Sequence, residues 1–322
     1  MCAAMSAARP IFLNDDTPGA RDAVPCALVI GNFDGVHRGH QSVLEQAVAY
    51  SRGDGVELSP RALTFDPHPA QVVGSGSPPL LTSLEDRIEL MVRLGIERVY
   101  VRRFDAAFAA WPPERFATRL LAQALQAKVV FAGENLRFGA KRTGDLALLR
   151  ELGGKLGFEV RVHEVAGDAS GPFSSTRARD AIAAGDLDEV RRVLGRPHAV
   201  TGSVAHGNAR GRSIGFPTAN VEGIVEILPP DGVYAVVVEG LTDDGSYSPL
   251  AGGVTNIGVR PTIGGGHRTV EAHLIDFDGD LYGRRIRLSF VAHLRGEQKF
   301  ASLDELKAQI GRDVARTRGV LP

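Results

Sequence analysis

The chain has 322 residues, with 37 Lys and Arg against 38 Asp and Glu and a net charge of −1. With 43% hydrophobic residues it can bury a full core, and at roughly 100–200 residues per domain the length predicts two domains. The even charge excludes a basic footprint for nucleic acid or an anionic membrane, and the composition excludes disorder, collagen and coiled coil.

Two cysteines, Cys2 and Cys26, are too few for a disulfide framework and fit a reducing compartment. The opening MCAAMSAARPIFLNDD has no continuous apolar stretch of signal-peptide type and predicts a loose tail over residues 1–20. Apolar runs such as Val233–Val238 are far too short to span a membrane. A cytoplasmic protein with neither nucleic-acid nor membrane partners is expected, and nothing in the sequence sets its oligomeric state.

From Ala27 to Gly195, strand-like and helix-like segments alternate, which predicts a parallel sheet built from βαβ units. The run Ala27–Asn32 reads as the first strand. Gly31-Asn32-Phe33-Asp34-Gly35-Val36-His37-Arg38-Gly39-His40 then leads into a helix with Val43, Leu44, Ala47 and Val48 on one face. Glycines allow close backbone approach, and a helix start offers free N–H groups to phosphate, so His37 and His40 predict an anion-facing pair. The blander reading makes them a helix cap and a surface residue. A metal reading needs a third ligand, which no nearby Cys or carboxylate pair supplies.

Arg61–Phe65 predicts the next strand, ending in Thr64-Phe65-Asp66-Pro67-His68-Pro69. Ser83 predicts a helix cap with Asp86, and Ile96–Val101 and Lys128–Phe131 predict further strands. The loop Gly133-Glu134-Asn135-Leu136-Arg137-Phe138-Gly139 follows the second of these. Both loops are placed to rim a ligand crevice, and both are equally ordinary turns after strands. Helix Asp145–Leu156 and strand Phe158–Val162 come next. Ser174-Ser175-Thr176-Arg177-Ala178-Arg179 then opens a helix, as a phosphate-holding start or as a routine cap.

A helix over Asp186–Leu194 precedes a change of texture, so the boundary is placed near Gly195. This gives a tail at 1–20, an α/β domain at 21–195 and a β-domain at 196–322. Strands around Gly232–Glu239, Val270–Ile275 and Arg287–Val291, followed by an amphipathic helix capped by Ser302, predict a barrel with a C-terminal helix. The segment Gly211-Arg212-Ser213-Ile214-Gly215-Phe216-Pro217-Thr218-Ala219-Asn220 presents oxygens at Thr218 and Asn220 that suit one hard cation such as Mg²⁺. Glu271 alternates with Val270 and Ala272. It is a general-base candidate if its face lines the barrel, and otherwise an ordinary solvated glutamate.

These motifs, with Leu294-Arg295-Gly296-Glu297-Gln298-Lys299-Phe300, occur in an order that resembles the bacterial bifunctional riboflavin kinase/FAD synthetase family from about Ala27 to Arg318. The resemblance implies a Rossmann-like nucleotidyltransferase domain followed by a riboflavin kinase barrel. It implies substrates riboflavin, FMN and ATP, product FAD, and Mg²⁺. Nucleotide contacts are implied at Gly31, Phe33, Gly35, Gly39, Asn135, Ser175, Thr176, Arg179, Gly211 and Arg212, and catalytic roles at His37 and His40, which neutralise the α-phosphate and leaving group. Flavin contacts are implied at Asp66, Pro67, His68, Arg295, Glu297 and Phe300. Thr218 and Asn220 are implied as metal ligands and Glu271 as catalytic base. Leu136 stands where the family commonly has an aromatic residue, and Phe173 where it has a branched aliphatic. The alternatives are a monofunctional adenylyltransferase with a non-catalytic flavin-binding barrel, and a flavin-binding regulator.

Overall fold

The computed structural model describes residues 10–13, 24–74, 76–164, 166–206, 215–243, 245–260 and 267–321. Two compact units form, one from residues 1–78 with 84–174 and the other from 79–83 with 175–322.

The first unit is a six-stranded, wholly parallel sheet. Its strands are β1 (Ile11–Leu13), β2 (Cys26–Ile30), β3 (Ser59–Asp66), β4 (Arg98–Arg103), β5 (Ala127–Gly133) and β6 (Glu159–His163), in the order β1-β4-β3-β2-β5-β6. Helices α1 (Arg38–Ser51), α2 (Pro69–Val73), α3 (Leu84–Arg93), α4 (Ala106–Ala109), α5 (Pro113–Arg115) and α6 (Leu146–Leu156) connect them, with α5 running into a π-helical turn at Phe116–Ala124. Alternation along the strands buries both faces. Ala27, Val29, Val99 and Phe131 pack with Val43, Leu44, Ala47 and Met91 on one side. Leu28, Leu63, Tyr100 and Val130 pack with Trp111, Phe116, Leu121 and Leu149 on the other. Each large apolar side chain buried this way contributes about 1.5–3 kcal/mol before entropy is counted. The helix caps follow the sequence: Asp145 accepts the Leu148 N–H, and Gly157 ends α6 in the left-handed region at φ 80°.

The expected tail is corrected at Ile11–Leu13, which pair parallel with Tyr100–Arg102 as an edge strand. The apolar triplet covers the open side of β4, Leu13 is buried, and its carbonyl accepts from Arg102 Nη1 at 2.8 Å. The first unit also holds a short antiparallel pair, β7 (Gly167–Asp168) and β8 (Gly171–Pro172).

The second unit begins with α7 (Ser175–Ala184) and α8 (Leu187–Leu194), which the sequence grouped with the α/β domain. They cluster with the barrel because α8 is bound to it. Leu187 joins the barrel core, and Arg191 Nη2 donates to the Val291 carbonyl at 3.1 Å. The barrel is built, in chain order, from β9 (Ala199–Ala205), β10 (Ala219–Glu222), β11 (Gly232–Leu241), β12 (Tyr247–Arg260), β13 (His267–Leu274) and β14 (Arg285–Arg295). It is closed and antiparallel, in the order β10-β13-β12-β11-β14-β9. Val200, Tyr234, Val236, Ile257, Val270, Ala272, Leu288 and Phe290 fill it, so it is a packed core rather than a channel. Helix α9 (Leu303–Val320), capped by Ser302 as expected, packs Val314 against Val233, Ala235 and Val254 on the barrel's outer face.

Candidate active sites

In the sheet, β2 lies between β3 and β5. The chain runs outward through β3 and β4, then returns to β5 on the opposite side of β2. That reversal opens a crevice at the carboxyl ends of β2 and β5, the usual ligand position in such sheets. The turn 31–40 leaves β2 at this point, and the Gly133–Phe138 loop leaves β5 beside it.

Phe33, Gly35 and Val36 adopt positive φ values of 52°, 84° and 37°, which coil the turn tightly ahead of α1. Phe33 and Val36 are buried in the core, so the Phe33 side chain supports the turn from below and can offer a nucleotide only its backbone. His37 is buried and caps α1, its Nδ1 accepting the His40 N–H at 3.3 Å. The cap reading is therefore correct for His37. His40 is half-buried rather than a surface residue. The His40 ring stacks on His37 with centroids 3.6 Å apart and meets Phe33 edge-on at 5.3 Å. Its Nδ1 is closed off from solvent and has no hydrogen-bond partner among the described residues. Burial, then the charges of His37 and Arg87, hold the His40 pKa well below the ordinary 6.5. A Cβ on Gly39 would lie 3.0 Å from the Phe173 carbonyl and 3.1 Å from the His37 ring, so any side chain there would push these neighbours apart by a few tenths of an ångström.

Arg87 is a buried brace beside this turn that the sequence does not reveal. Its Nη1 donates to the Asn32 carbonyl at 3.0 Å, the Phe65 carbonyl at 3.3 Å and Thr64 Oγ1 at 3.4 Å. One guanidinium thus ties the turn after β2 to the Asp66-Pro67-His68 loop after β3. Burial lowers its pKa, opposed by Asp34, Asp66 and Glu85 in that order. The same two loops meet again where the Asn32 side-chain amide lies 3.3 Å from His68 Nε2, while His68 Nδ1 accepts from the Ala70 N–H. Asp66 is exposed, and Asn135 is exposed at the end of β5. Leu136 packs on the core.

In the second unit, Ser175, Thr176 and Arg179 lie in the first turns of α7, and Arg179 Nε donates to the Pro79 carbonyl at 2.7 Å. Gly211 and Arg212 lie outside the described residues. On the barrel, Asn220 of β10 and Asn256 of β12 both oppose Glu271 of β13 in register. Directly opposed residues share a face, so the three form a row, and Thr218 stands one residue before β10 begins. This face is not the barrel interior, which Val270, Ala272 and Leu274 occupy. Glu271 instead lies half-buried on the outer wall, so strand alternation alone leaves it an ordinary glutamate, and what singles it out is its row with Asn220 and Asn256.

Glu297 comes to that wall. Its Oε1 lies 2.1 Å from where a Cβ on Gly258 would stand, so the missing side chain at Gly258 leaves room for the carboxylate. Arg295 is engaged otherwise: Nε and Nη2 donate to Asp313 Oδ2 at 3.0 and 2.9 Å, fastening α9 to β14. Its guanidinium also lies 5.7 Å from the Phe300 ring centroid. Phe300 lines a cavity of about 450 Å³ with Gln298, Ala308, Gln309 and Arg312. A second cavity, of about 610 Å³, is bordered by Pro217, Thr218, Ala219, Phe277 and Tyr282.

The donor set fits a cation that arrives with its own ligands. Thr218 and Asn220 would supply two neutral oxygens, and no group of three His, Cys, Asp or Glu able to hold a metal occurs among the described residues. Mg²⁺ is commonly bound by few protein oxygens together with water and substrate phosphates.

Comparison with known proteins agrees across both halves. The FAD synthetase family model matches residues 20–177, and the riboflavin kinase model matches residues 194–321. The bifunctional riboflavin kinase/FMN adenylyltransferase of Escherichia coli (strain K12) is 41% identical over 294 residues, covering 91% of this chain and 92% of that protein. The protein of the same name from Listeria monocytogenes is 36% identical over 295 residues, covering 90% and 91%. A crystal structure described as a macrolide-efflux protein from Streptococcus pneumoniae superposes with a TM-score of 0.80 at 30% identity, covering 96% of this chain and 99% of that one. No helix among the described residues is long and apolar enough to cross a membrane. On the strength of both halves, the chain belongs to the family of bifunctional riboflavin kinase/FMN adenylyltransferases.

Proposed function

We infer that this chain phosphorylates riboflavin to FMN with ATP, then transfers AMP from a second ATP to FMN, giving FAD and pyrophosphate. The observation that carries the first reaction is the directly opposed pair Asn220 and Glu271 on one outer face of the barrel, with Thr218 just ahead of β10. We assign residues 196–322 to this step and 21–195 to the second.

In the kinase step Glu271 accepts the proton of the ribityl 5′-hydroxyl as that oxygen bonds to the γ-phosphorus. The bond from the γ-phosphorus to the bridging oxygen breaks, and ADP leaves. Thr218 and Asn220 would hold Mg²⁺, which supplies charge neutralisation on the phosphates. We place ATP at the cavity bordered by Thr218 and Tyr282, and the flavin at the Phe300 cavity near Glu297. Arg295 acts there through Asp313, by holding α9 in place.

In the second step the FMN phosphate is itself the nucleophile, mostly dianionic at neutral pH with a second pKa near ~6. It bonds to the α-phosphorus as the bond to the pyrophosphate oxygen breaks, and no side-chain base is needed. His37 and His40 at the helix start, with backbone N–H groups of the Gly31–Gly39 turn, stabilise charge developing on the transferred phosphate. Asp66, Pro67 and His68 border the FMN side, and Asn135 the adenosine side. The Ser175–Arg179 helix start keeps the phosphate-holding role that the family motif implies. Both reactions belong in the cytoplasm, without nucleic-acid or membrane partners.

Incubation with riboflavin, ATP and Mg²⁺, followed by HPLC of the flavins, tests this reading. FMN should appear first and FAD second. FAD from supplied FMN with no FMN from riboflavin would instead indicate a monofunctional adenylyltransferase.

A further inference from the structure

His273 stands two residues beyond Glu271, on the same outer face of β13. Its Nδ1 lies 2.8 Å from the Pro217 carbonyl oxygen, so Nδ1 carries the ring proton and donates it. The ring also meets Phe216 nearly at right angles, with centroids 5.4 Å apart. Pairing between β10 and β13 begins at Ala219 opposite Ala272. One further step would bring Thr218 opposite His273. The imidazole thus takes hold where the backbone ladder stops, one residue before Thr218.

The bonded carbonyl belongs to the planar peptide unit that joins Pro217 to Thr218, so fixing it fixes the plane on which Thr218 is mounted. Pro217 has a restricted φ, and a residue before proline is held to extended conformations. A grip on one carbonyl and one ring therefore leaves the Phe216-Pro217-Thr218 segment little freedom.

We propose that His273 is a positioning residue of the kinase site, holding the Pro217–Thr218 peptide so that Thr218 and Asn220 face one phosphate-bound cation. It touches neither substrate nor metal, and Glu271 on the same strand remains the base. The inference rests on the metal-ligand assignment made for Thr218 and Asn220 above.

Steady-state kinase kinetics of His273→Ala, His273→Asn, His273→Gln and Thr218→Ala test it. An asparagine amide can present an N–H where Nδ1–H stood, whereas glutamine reaches the Nε2 position. His273→Ala should raise the KM for MgATP and the Mg²⁺ needed for half-maximal rate about tenfold, the scale of one lost hydrogen bond. The KM for riboflavin and FAD formation from supplied FMN should stay within about twofold. Asparagine should restore the KM for MgATP and glutamine should not. The proposal is overturned if His273→Ala matches the wild type while Thr218→Ala is inactive, if both KM values shift together, or if glutamine restores as well as asparagine. If Thr218→Ala is as active as the wild type, the ligand assignment itself fails. Should the alanine variant fold poorly by thermal melting, the asparagine–glutamine pair decides the question.

Discussion

His37 Nδ1 accepts the backbone N–H of His40, and the two rings stack 3.6 Å apart. Acceptance at Nδ1 puts the His37 ring proton on Nε2, so the cap also fixes the tautomer. Two stacked imidazolium ions would repel, and Arg87 adds a third positive charge nearby. His40 therefore meets its substrate as a neutral ring beside a helix start, and the attraction for phosphate comes from aimed N–H groups more than from ionised histidine.

That neutrality makes stability depend on pH. The folded His40 pKa lies well below 6.5, because of burial first and then the charges of His37 and Arg87. An unfolded chain takes up the proton as pH falls through that ordinary value, so below it the unfolded state binds more protons than the folded one. The contribution is complete above pH 6.5 and is lost as pH falls toward the depressed value. Urea unfolding from about pH 8 to about pH 5.5 should show the wild type losing more stability than His40→Asn. His163, whose pKa burial also lowers, contributes alike to both proteins. Equal losses in the two would remove His40 from the acid response.

Arg87 should matter to one activity only. Arg87→Met removes the donor shared by the Asn32 and Phe65 carbonyls and Thr64 Oγ1, freeing the two loops that flank the adenylyl site. The Asn32 carbonyl keeps its bond from Thr64 Oγ1 at 3.0 Å, so the stability cost is that of lost hydrogen bonds, about 1 kcal/mol each. FAD formation from FMN should fall at least about tenfold while FMN formation from riboflavin persists. Unchanged FAD formation in the folded variant would contradict the bracing role.

Much of the architecture is legible in the sequence because local chemistry decides it. Val43, Leu44, Ala47 and Val48 mark one face of α1, and Asp145, Asp186 and Ser302 cap the helices they precede. What is hidden depends on long-range packing. Arg87 follows Glu85 and Asp86 and looks like part of a solvated helix face, yet it is sealed beneath two loops. Asp313 looks equally ordinary until β14 brings Arg295 against it. Alternation shows that Glu271 opposes Val270 and Ala272, but not which side is the interior. Only barrel closure settles that, and it places Glu271 outside. Ile11–Leu13 is too short to declare a strand without β4 beside it.

Arg295 and Asp313 form the ion pair that secures α9, with side-chain exposures of 14% and 3%. Gln309 Nε2 donates to the same carboxylate at 2.8 Å. Replacing one partner leaves a buried charge without its complement, which commonly costs about 3–5 kcal/mol. Asp313→Ala should lower the unfolding midpoint of the second unit and raise the KM for riboflavin, because α9 forms one wall of the Phe300 cavity. A stable variant with an unchanged KM for riboflavin would show that the pair neither fastens the helix nor shapes the cavity.

The central claim is that two chemically independent sites share this chain, and HPLC of the flavins made by two single variants tests it most directly. Glu271→Ala should give no FMN from riboflavin yet make FAD from supplied FMN. His40→Ala should accumulate FMN from riboflavin, with FAD formation reduced about a hundredfold to a thousandfold, the scale of one lost transition-state contact. If either substitution removed both activities equally in protein that remains folded, the two-site account would be contradicted.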